Sequence, residues 1–251
     1  MEQVIIIPAR YGAVRLPGKP LRLLWGKPLI QHVYERALSS GLKVYVATDD
    51  ERVFNTVKAF GGTPIMTSST HKCGTDRIAE AVSILKLNDE DIVINLQGDQ
   101  PLFPSEYFSI LVEPIVNNLA PMSTLATPFK DVKEVENPNR VKVVLDKSRN
   151  ALYFSRSPIP YIRDKGDGFE NAYLKHIGVY AYKVHFLKKF VNLPQGKLEQ
   201  LEKLEQLRAL EHGYKIAVRI VSKDFPEVDT LEDLEFLEKH WKPDSLEPRL
   251  T

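Results

Sequence analysis

Short apolar runs alternate with amphipathic segments from the start of the chain to Leu96. Val4-Ile5-Ile6-Ile7, Lys43-Val44-Tyr45-Val46-Ala47 and Ile92-Val93-Ile94-Asn95-Leu96 are β-branched with few polar interruptions. That is the pattern of strands covered on both faces, as in a parallel sheet. Between them, Leu29 to Leu38, Arg52 to Phe60 and Thr75 to Leu85 carry apolar residues at helical spacing. Gly41 closes the first and Gly61-Gly62 the second. Alternation at this spacing predicts right-handed βαβ units and an α/β fold with a Rossmann-like, mainly parallel sheet.

The pattern changes after about residue 120. Met122 to Pro128, Val141 to Leu145 and Ala151 to Ser155 read as strands joined by turn residues instead of helices, which predicts an inserted antiparallel sheet in the second half. Ile177 to Tyr182 is a further strand. Leu198, Leu201, Leu204 and Leu207 recur every three residues and predict one charged helix with an apolar stripe. Ile216 to Val221 is a late strand, Leu231 to His240 a closing helix, and residues 242–251 read as a loose tail. With no internal repeat and no low-complexity linker, we expect a single α/β domain over residues 1–251.

Composition narrows the function classes. Hydrophobic residues make up 43% and charged residues 27% of the 251 positions, as in ordinary globular proteins. The net charge of +1 supplies no global field for nucleic acid or a membrane surface, so any basic site must be local. Cys73 is the only cysteine, which excludes an intramolecular disulfide and suits a reducing compartment. The run Val4–Ile7 is short for a signal sequence, and no stretch reaches the roughly 18 apolar residues of a membrane span. We expect a soluble cytoplasmic protein that neither binds nucleic acid nor inserts into membranes.

Residues 8–20, directly after the first strand, contain three prolines, two glycines and the cations Arg10, Arg15 and Lys19. Loops at strand carboxyl ends line the ligand crevice of such sheets. Three cations there suit a nucleoside triphosphate, although a solvated basic loop reads the same way. The glycine spacing is not that of a Walker A loop. Gln97-Gly98-Asp99-Gln100-Pro101 follows the strand ending at Leu96. A carboxylate so placed suits magnesium against phosphate oxygens, and a plain Gly-Asp turn is the alternative. Asp229, before the last helix, is a second such carboxylate or a helix N-cap.

Three further groups fit the same chemistry. His71-Lys72-Cys73-Gly74-Thr75-Asp76-Arg77 opens the third helix, where Thr75 or Asp76 is either an N-cap or part of an anion site. Arg156, Arg163 and the segment Glu205-Gln206-Leu207-Arg208 lie in the second half, where arginines suit carboxylate recognition. His176 and Tyr180 fall on one face of their strand. Taken singly, each of these is as well read as surface or core.

Read in order, IPAR, RLPGKPL, GTDR, NLQGD, FSR, HIGVYAY, LEQLR and VDT resemble the 3-deoxy-manno-octulosonate cytidylyltransferase (CMP-Kdo synthetase) family from Ile6 to about Leu237. The resemblance implies a nucleotide-sugar-transferase-type fold, a homodimer, and transfer of CMP from CTP to the acidic sugar Kdo for lipopolysaccharide assembly. Residues 1–120 would form the CTP-binding part. Residues 121–215 would form the sugar-binding and dimerisation part, and 216–241 would return to the main sheet. The resemblance further implies that Pro8, Ala9, Arg10, Arg15, Lys19, Thr75, Arg77 and Gln97 contact the nucleotide. Asp99 and Asp229 would hold Mg2+. Gln97, Arg156, Arg163, His176, Tyr180, Glu205 and Gln206 would contact the sugar, and Arg10, Lys19 and Asp99 would act in catalysis. The chain departs from the family pattern at Ala13 and Val14, at Cys73 where serine is usual, and at Gln100 where an acidic residue is usual. A sialic acid cytidylyltransferase, a glycosyltransferase and a nucleotide-binding regulator are the competing readings. For the second, the Asp89-Glu90-Asp91 triplet lies before its strand, on the wrong side for a metal site.

Overall fold

The computed structural model describes residues 1–12, 16–164 and 172–241. These fall into two compact units. One comprises Met1–Phe108 and the residues from Phe225 onward, and the other comprises Ser109–Asp224.

The first unit contains β1 (Gln3–Ala9), the short hairpin β2 (Leu23–Leu24) and β3 (Lys27–Pro28), α1 (Leu29–Leu38) and β4 (Lys43–Thr48). After these come α2 (Glu51–Ala59), β5 (Pro64–Met66), α3 (Gly74–Ile84), β6 (Ile92–Asn95) and the start of α4 (Tyr107–Val116). Its sheet has the order β5-β4-β1-β6 with every pair parallel, as the alternating pattern predicts. β1 is paired on both edges, and Val4, Ile5, Ile6 and Ile7 are all fully buried. Each such side chain contributes about 1.5–3 kcal/mol of burial free energy. The strand continues through Pro8 instead of ending there. Pairing with β6 stops at Ile6 opposite Asn95, so the missing N–H of Pro8 falls where that ladder has already ended.

In the second unit, β7 (Met122–Pro128), β8 (Lys142–Leu145), β9 (Ala151–Ser155) and β10 (Leu174–Lys183) precede α5 (Val184–Val191). Next come α6 (Lys197–Glu202), α7 (Leu207–Glu211) and β11 (Ile216–Ile220). β7 pairs antiparallel with β10, β10 with β8, and β8 with β9, whereas β11 lies parallel beside β7. The antiparallel insertion is therefore borne out. The leucine stripe is not one helix. Lys203 takes a left-handed conformation at φ 53° and separates α6 from α7. The break leaves Leu201 exposed while Leu204 and Leu207 turn into the core.

The chain returns to the first unit through α8 (Leu231–His240). Its N-cap is Thr230, which forms a reciprocal capping box with Asp233. The periodicity did not reveal α4, α5 or β5. α4 is almost wholly apolar and carries Pro114 inside it, so it lacks the polar face that marks an amphipathic helix. The tail read at 242–251 lies outside the described residues. Among the described residues no helix is long and apolar enough to cross a membrane.

Candidate active site

Four segments of the first unit converge at the carboxyl ends of β1 and β6. Pro8, Ala9, Arg10, Lys19, Pro20, Gly74, Gln97, Gly98 and Asp99 line a cleft of about 190 Å³. Lys19 opens a 3-10 turn, Lys19–Leu21, that is set by Gly18. Gly18 sits at φ 69°, and a Cβ there would stand 3.3 Å from the Tyr11 ring. Its N–H donates to the Tyr11 carbonyl at 3.0 Å, which closes the loop against its own start. The Arg52 guanidinium lies over the Tyr11 ring, 3.3 Å from its centroid.

Lys19 joins the two carboxylates predicted to work together. Its Nζ donates to Asp99 Oδ2 at 2.8 Å and to Asp229 Oδ1 at 3.0 Å. Burial of Lys19 would depress its pKa, but the charge and hydrogen bond of Asp99, then of Asp229, outweigh that and hold the ammonium above its ordinary value. Asp229 is not the helix cap, because Thr230 and Asp233 perform that task. Its carboxylate is thereby left to turn toward Lys19.

The loop between β5 and α3 contributes differently from the sequence reading. The N-cap of α3 is Cys73, whose Sγ accepts from the Asp76 N–H at 3.4 Å, and neither Thr75 nor Asp76 caps it. Gly74 approaches β1 closely, since a Cβ there would meet Pro8 Cγ at 3.1 Å. Arg77 is fully buried. Its guanidinium lies 2.9 Å from Asp49 and donates to Thr67 Oγ1 at 2.6 Å, so it braces the loop before α3 and is not among the cleft-lining residues. Thr75 is buried as well. Arg10 is exposed and reaches the Lys72 carbonyl at 3.5 Å. Gln97 donates to Asn95 Oδ1 at 2.8 Å. Arg15 lies outside the described residues, as do Ala13 and Val14. Asp91, of the acidic triplet, accepts from the N–H groups of Glu2 and Asn88 and serves the start of β1.

The second unit brings together part of the set that the resemblance assigns to the sugar. His176 is buried, and burial, with the Lys175 charge adding to it, lowers its pKa to about 3. The neutral ring lies 2.9 Å from Thr124 Oγ1, whose hydroxyl donates to the Val179 carbonyl at 2.8 Å. His176 Nε2 therefore carries the proton and donates to Thr124. Phe154 and Tyr180 flank the ring at centroid distances of 4.9 and 5.5 Å, which places His176 and Tyr180 together as their strand spacing predicts. Gln206 is buried, and its Nε2 has no acceptor among the described residues, so it keeps a donor for a ligand oxygen. Glu205 is half-buried beside it.

The two arginines of this set differ. Arg156 donates to the carbonyls of Glu202 at 2.7 Å, Pro138 at 2.9 Å and Lys203 at 3.4 Å, so its guanidinium holds backbone. Arg163 is exposed. Arg208, read with Glu205 and Gln206 as an arginine suited to a carboxylate, finds one inside the protein in the buried Glu199–Arg208 pair, a partner the sequence did not announce. The pair's two hydrogen bonds, of 2.6 and 2.8 Å, tie α6 to α7 around the turn that bears Gln206. Pro20, Gly74 and Gly98 were likewise not counted as cleft residues. Their signal was adjacency to Lys19, Thr75 and Asp99 in sequence.

Asp99 and Asp229 are the residues suited to a metal. They form a hard, all-oxygen donor pair already converging on one cationic group. Among the described residues no group of three or more His, Cys, Asp and Glu gathers as a metal cage. A carboxylate pair with room for phosphate oxygens is the arrangement magnesium uses.

Known proteins match this chain over nearly its whole length. The family profile described as cytidylyltransferase matches residues 4–216. The 8-amino-3,8-dideoxy-manno-octulosonate cytidylyltransferase of Shewanella pealeana is 54% identical, over 95% of this chain and 98% of that protein. The 3-deoxy-manno-octulosonate cytidylyltransferase of Thermodesulfovibrio yellowstonii is 53% identical over the same shares. A solved structure of CMP:2-keto-3-deoxy-manno-octonic acid synthetase complexed with CTP superposes with a TM-score of 0.86 at 45% identity, covering 95% of this chain and 97% of that one. The family read from the ordered motifs is borne out, and this chain belongs to the cytidylyltransferase family of nucleotidyltransferases.

Proposed function

We propose that the chain transfers CMP from CTP to the anomeric hydroxyl of 3-deoxy-manno-octulosonate, releasing pyrophosphate, as a magnesium-dependent step of lipopolysaccharide synthesis. The observation that carries the reading is the Asp99–Lys19–Asp229 cluster at the cleft bounded by Pro8, Arg10 and Gln97. The sugar oxygen forms a bond to the α-phosphorus, the bond from that phosphorus to the bridging oxygen breaks, and the hydroxyl proton passes to solvent. Positioning and charge stabilisation dominate such a transfer. Magnesium held by Asp99 and Asp229 would supply Lewis-acid polarisation and a lowered hydroxyl pKa. The Lys19 ammonium then turns from the carboxylates to the triphosphate, and Arg10 meets charge building on pyrophosphate. In the second unit, Gln206, Tyr180, Glu205 and Arg163 are the groups proposed for the sugar, with His176 fixing the local geometry.

We place the protein in the cytoplasm as a homodimer. The exposed Leu152 and Leu201 of the second unit supply apolar surface for that contact. The amino analogue is a second reading of the sugar, favoured by the relative from Shewanella pealeana. The test is pyrophosphate release with CTP and either Kdo or its 8-amino analogue, with and without magnesium, using sialic acid as control. Release that requires Kdo and metal supports the proposal, and preference for the amino sugar supports the second reading. Asp99→Asn is expected to lower turnover by roughly a hundredfold or more while the circular dichroism spectrum is unchanged. Near-normal turnover in that variant removes Asp99 from the mechanism.

A further inference from the structure

We propose that Gln100 and Glu227 are positioning residues, whose hydrogen bond sets the spacing of Asp99 and Asp229 for the cation these two carboxylates take up. The inference rests on the metal reading above. Asp99 and Asp229 stand on separate turns, one after β6 and one before α8. Two adjacent links join the turns. The Val228 N–H donates to the Asp99 carbonyl at 2.9 Å, and Gln100 Nε2 donates to Glu227 Oε1 at 3.0 Å. The residues thus pair in antiparallel order, 99 with 228 and 100 with 227, each link one residue from a carboxylate.

One partner of each link is shielded from water. Gln100 is 1% exposed and Val228 is fully buried. Beneath them Phe103, whose N–H donates to the Gln100 carbonyl at 3.3 Å, packs edge-on against Phe225 at 5.2 Å. An amide donating to a carboxylate in such surroundings is a charge-assisted bond of the stronger kind. Magnesium demands ligand oxygens near 2.0–2.1 Å in near-ideal geometry. A sideways slip of one turn against the other therefore costs affinity even when both aspartates are intact.

Gln100 carries a feature that separates positioning from simple packing. Its Oε1 is buried and accepts no hydrogen bond among the described residues. Replacing Gln100 with leucine removes that unsatisfied oxygen at similar volume, which offsets part of the stability lost with the bond to Glu227. It also removes the bond to Glu227 at unchanged net charge. The double variant Gln100→Glu/Glu227→Gln keeps the net charge and restores the bond with donor and acceptor exchanged.

The experiment titrates Mn2+ into the full chain and follows free Mn2+ by electron paramagnetic resonance. It compares wild type, Asp99→Asn, Gln100→Leu and the exchange variant, with thermal melts alongside. Gln100→Leu is expected to bind Mn2+ about tenfold more weakly while its melt shows it fully folded at the assay temperature, and the exchange variant to recover to within about threefold of wild type. Wild-type affinity in Gln100→Leu overturns the proposal, as does an exchange variant that folds yet binds as weakly as Gln100→Leu. A wild-type chain whose Mn2+ binding is no stronger than that of Asp99→Asn overturns the metal reading itself, and the positioning role with it.

Discussion

Lys19 Nζ lies 2.8 Å from Asp99 Oδ2, a contact that closes 80 residues of chain and places an ammonium beside one of the two carboxylates suited to a metal. The same nitrogen reaches Asp229 at 3.0 Å. A lysine so placed neutralises two carboxylates that would otherwise repel each other, and it competes with any cation for them.

Lys19→Ala is therefore expected to act in opposite directions on two measurements. Mn2+ affinity in the absence of nucleotide rises several-fold, because the competing ammonium is gone. Turnover with CTP falls by about a hundredfold, because the same ammonium no longer meets the triphosphate. Calorimetry and steady-state kinetics on one preparation check both. A fall in metal affinity would show that Lys19 organises the carboxylates more than it competes with a metal for them.

Cys73 offers a test of helix capping. Its Sγ accepts from the Asp76 N–H at 3.4 Å, whereas a hydroxyl bonds that group more strongly. Cys73→Ser is expected to raise stability by roughly 0.5–1 kcal/mol with activity retained. Chemical denaturation is the measurement, and a loss of stability would mean that sulfur packing outweighs the cap.

His176 makes stability depend on pH. Its folded pKa is held at about 3, against 6.5 in the unfolded chain. Above pH 6.5 the ring is neutral in both states, and the native state bears no penalty. As pH falls from 6.5 toward 3 the unfolded state takes up a proton that the native state refuses, so stability drops by about 1.4 kcal/mol per pH unit from this group. His176→Gln removes that titration. Its stability, compared with wild type at pH 7, 6, 5 and 4, should fall less steeply with acid. Parallel curves would show that His176 is protonated in the folded state.

Arg208 and Glu199 form a bidentate pair with side chains only 7% and 6% exposed. Arg208→Ala leaves a buried carboxylate without its partner and is expected to cost about 3–5 kcal/mol. Glu199→Leu combined with Arg208→Met removes both charges and should recover most of that loss. Urea melts of the single and double variants check this, and additive losses would show that the pair is not coupled. A stable double variant with a raised KM for the sugar would further tie the pair to the turn bearing Gln206.

The fold was legible where local pattern and tertiary demand agree. Leu29–Leu38 and Leu231–His240 form helices with the bounds their apolar spacing and end signals predict, and Met122–Pro128 forms its strand likewise. Legibility failed where the local pattern was ambiguous. α4 lacks a polar face, and the leucines from Leu198 to Leu207 keep a helical spacing across a left-handed residue that nothing in their periodicity announces. The cleft was legible through Lys19, Gln97 and Asp99 because each follows a buried strand or a glycine turn. Arg77 and Arg156 were not, since an arginine binding a ligand and one holding backbone or a buried carboxylate have the same sequence appearance.

By itself the sequence determined the parallel and antiparallel halves, the family, and which side chains carry charge at the carboxyl ends of strands. The two halves and the charged strand ends follow from periodicity, turn chemistry and residue type, all of them local, and the family follows from the resemblance of the ordered motifs. Only the tertiary structure decided that Lys19 joins Asp99 to Asp229 and that Gln100 meets Glu227. Each depends on bringing together segments far apart in the chain. The physical reason is that the apolar residues of β1 and β6 must leave water, and the sheet they form delivers the polar turns at its edge to one another.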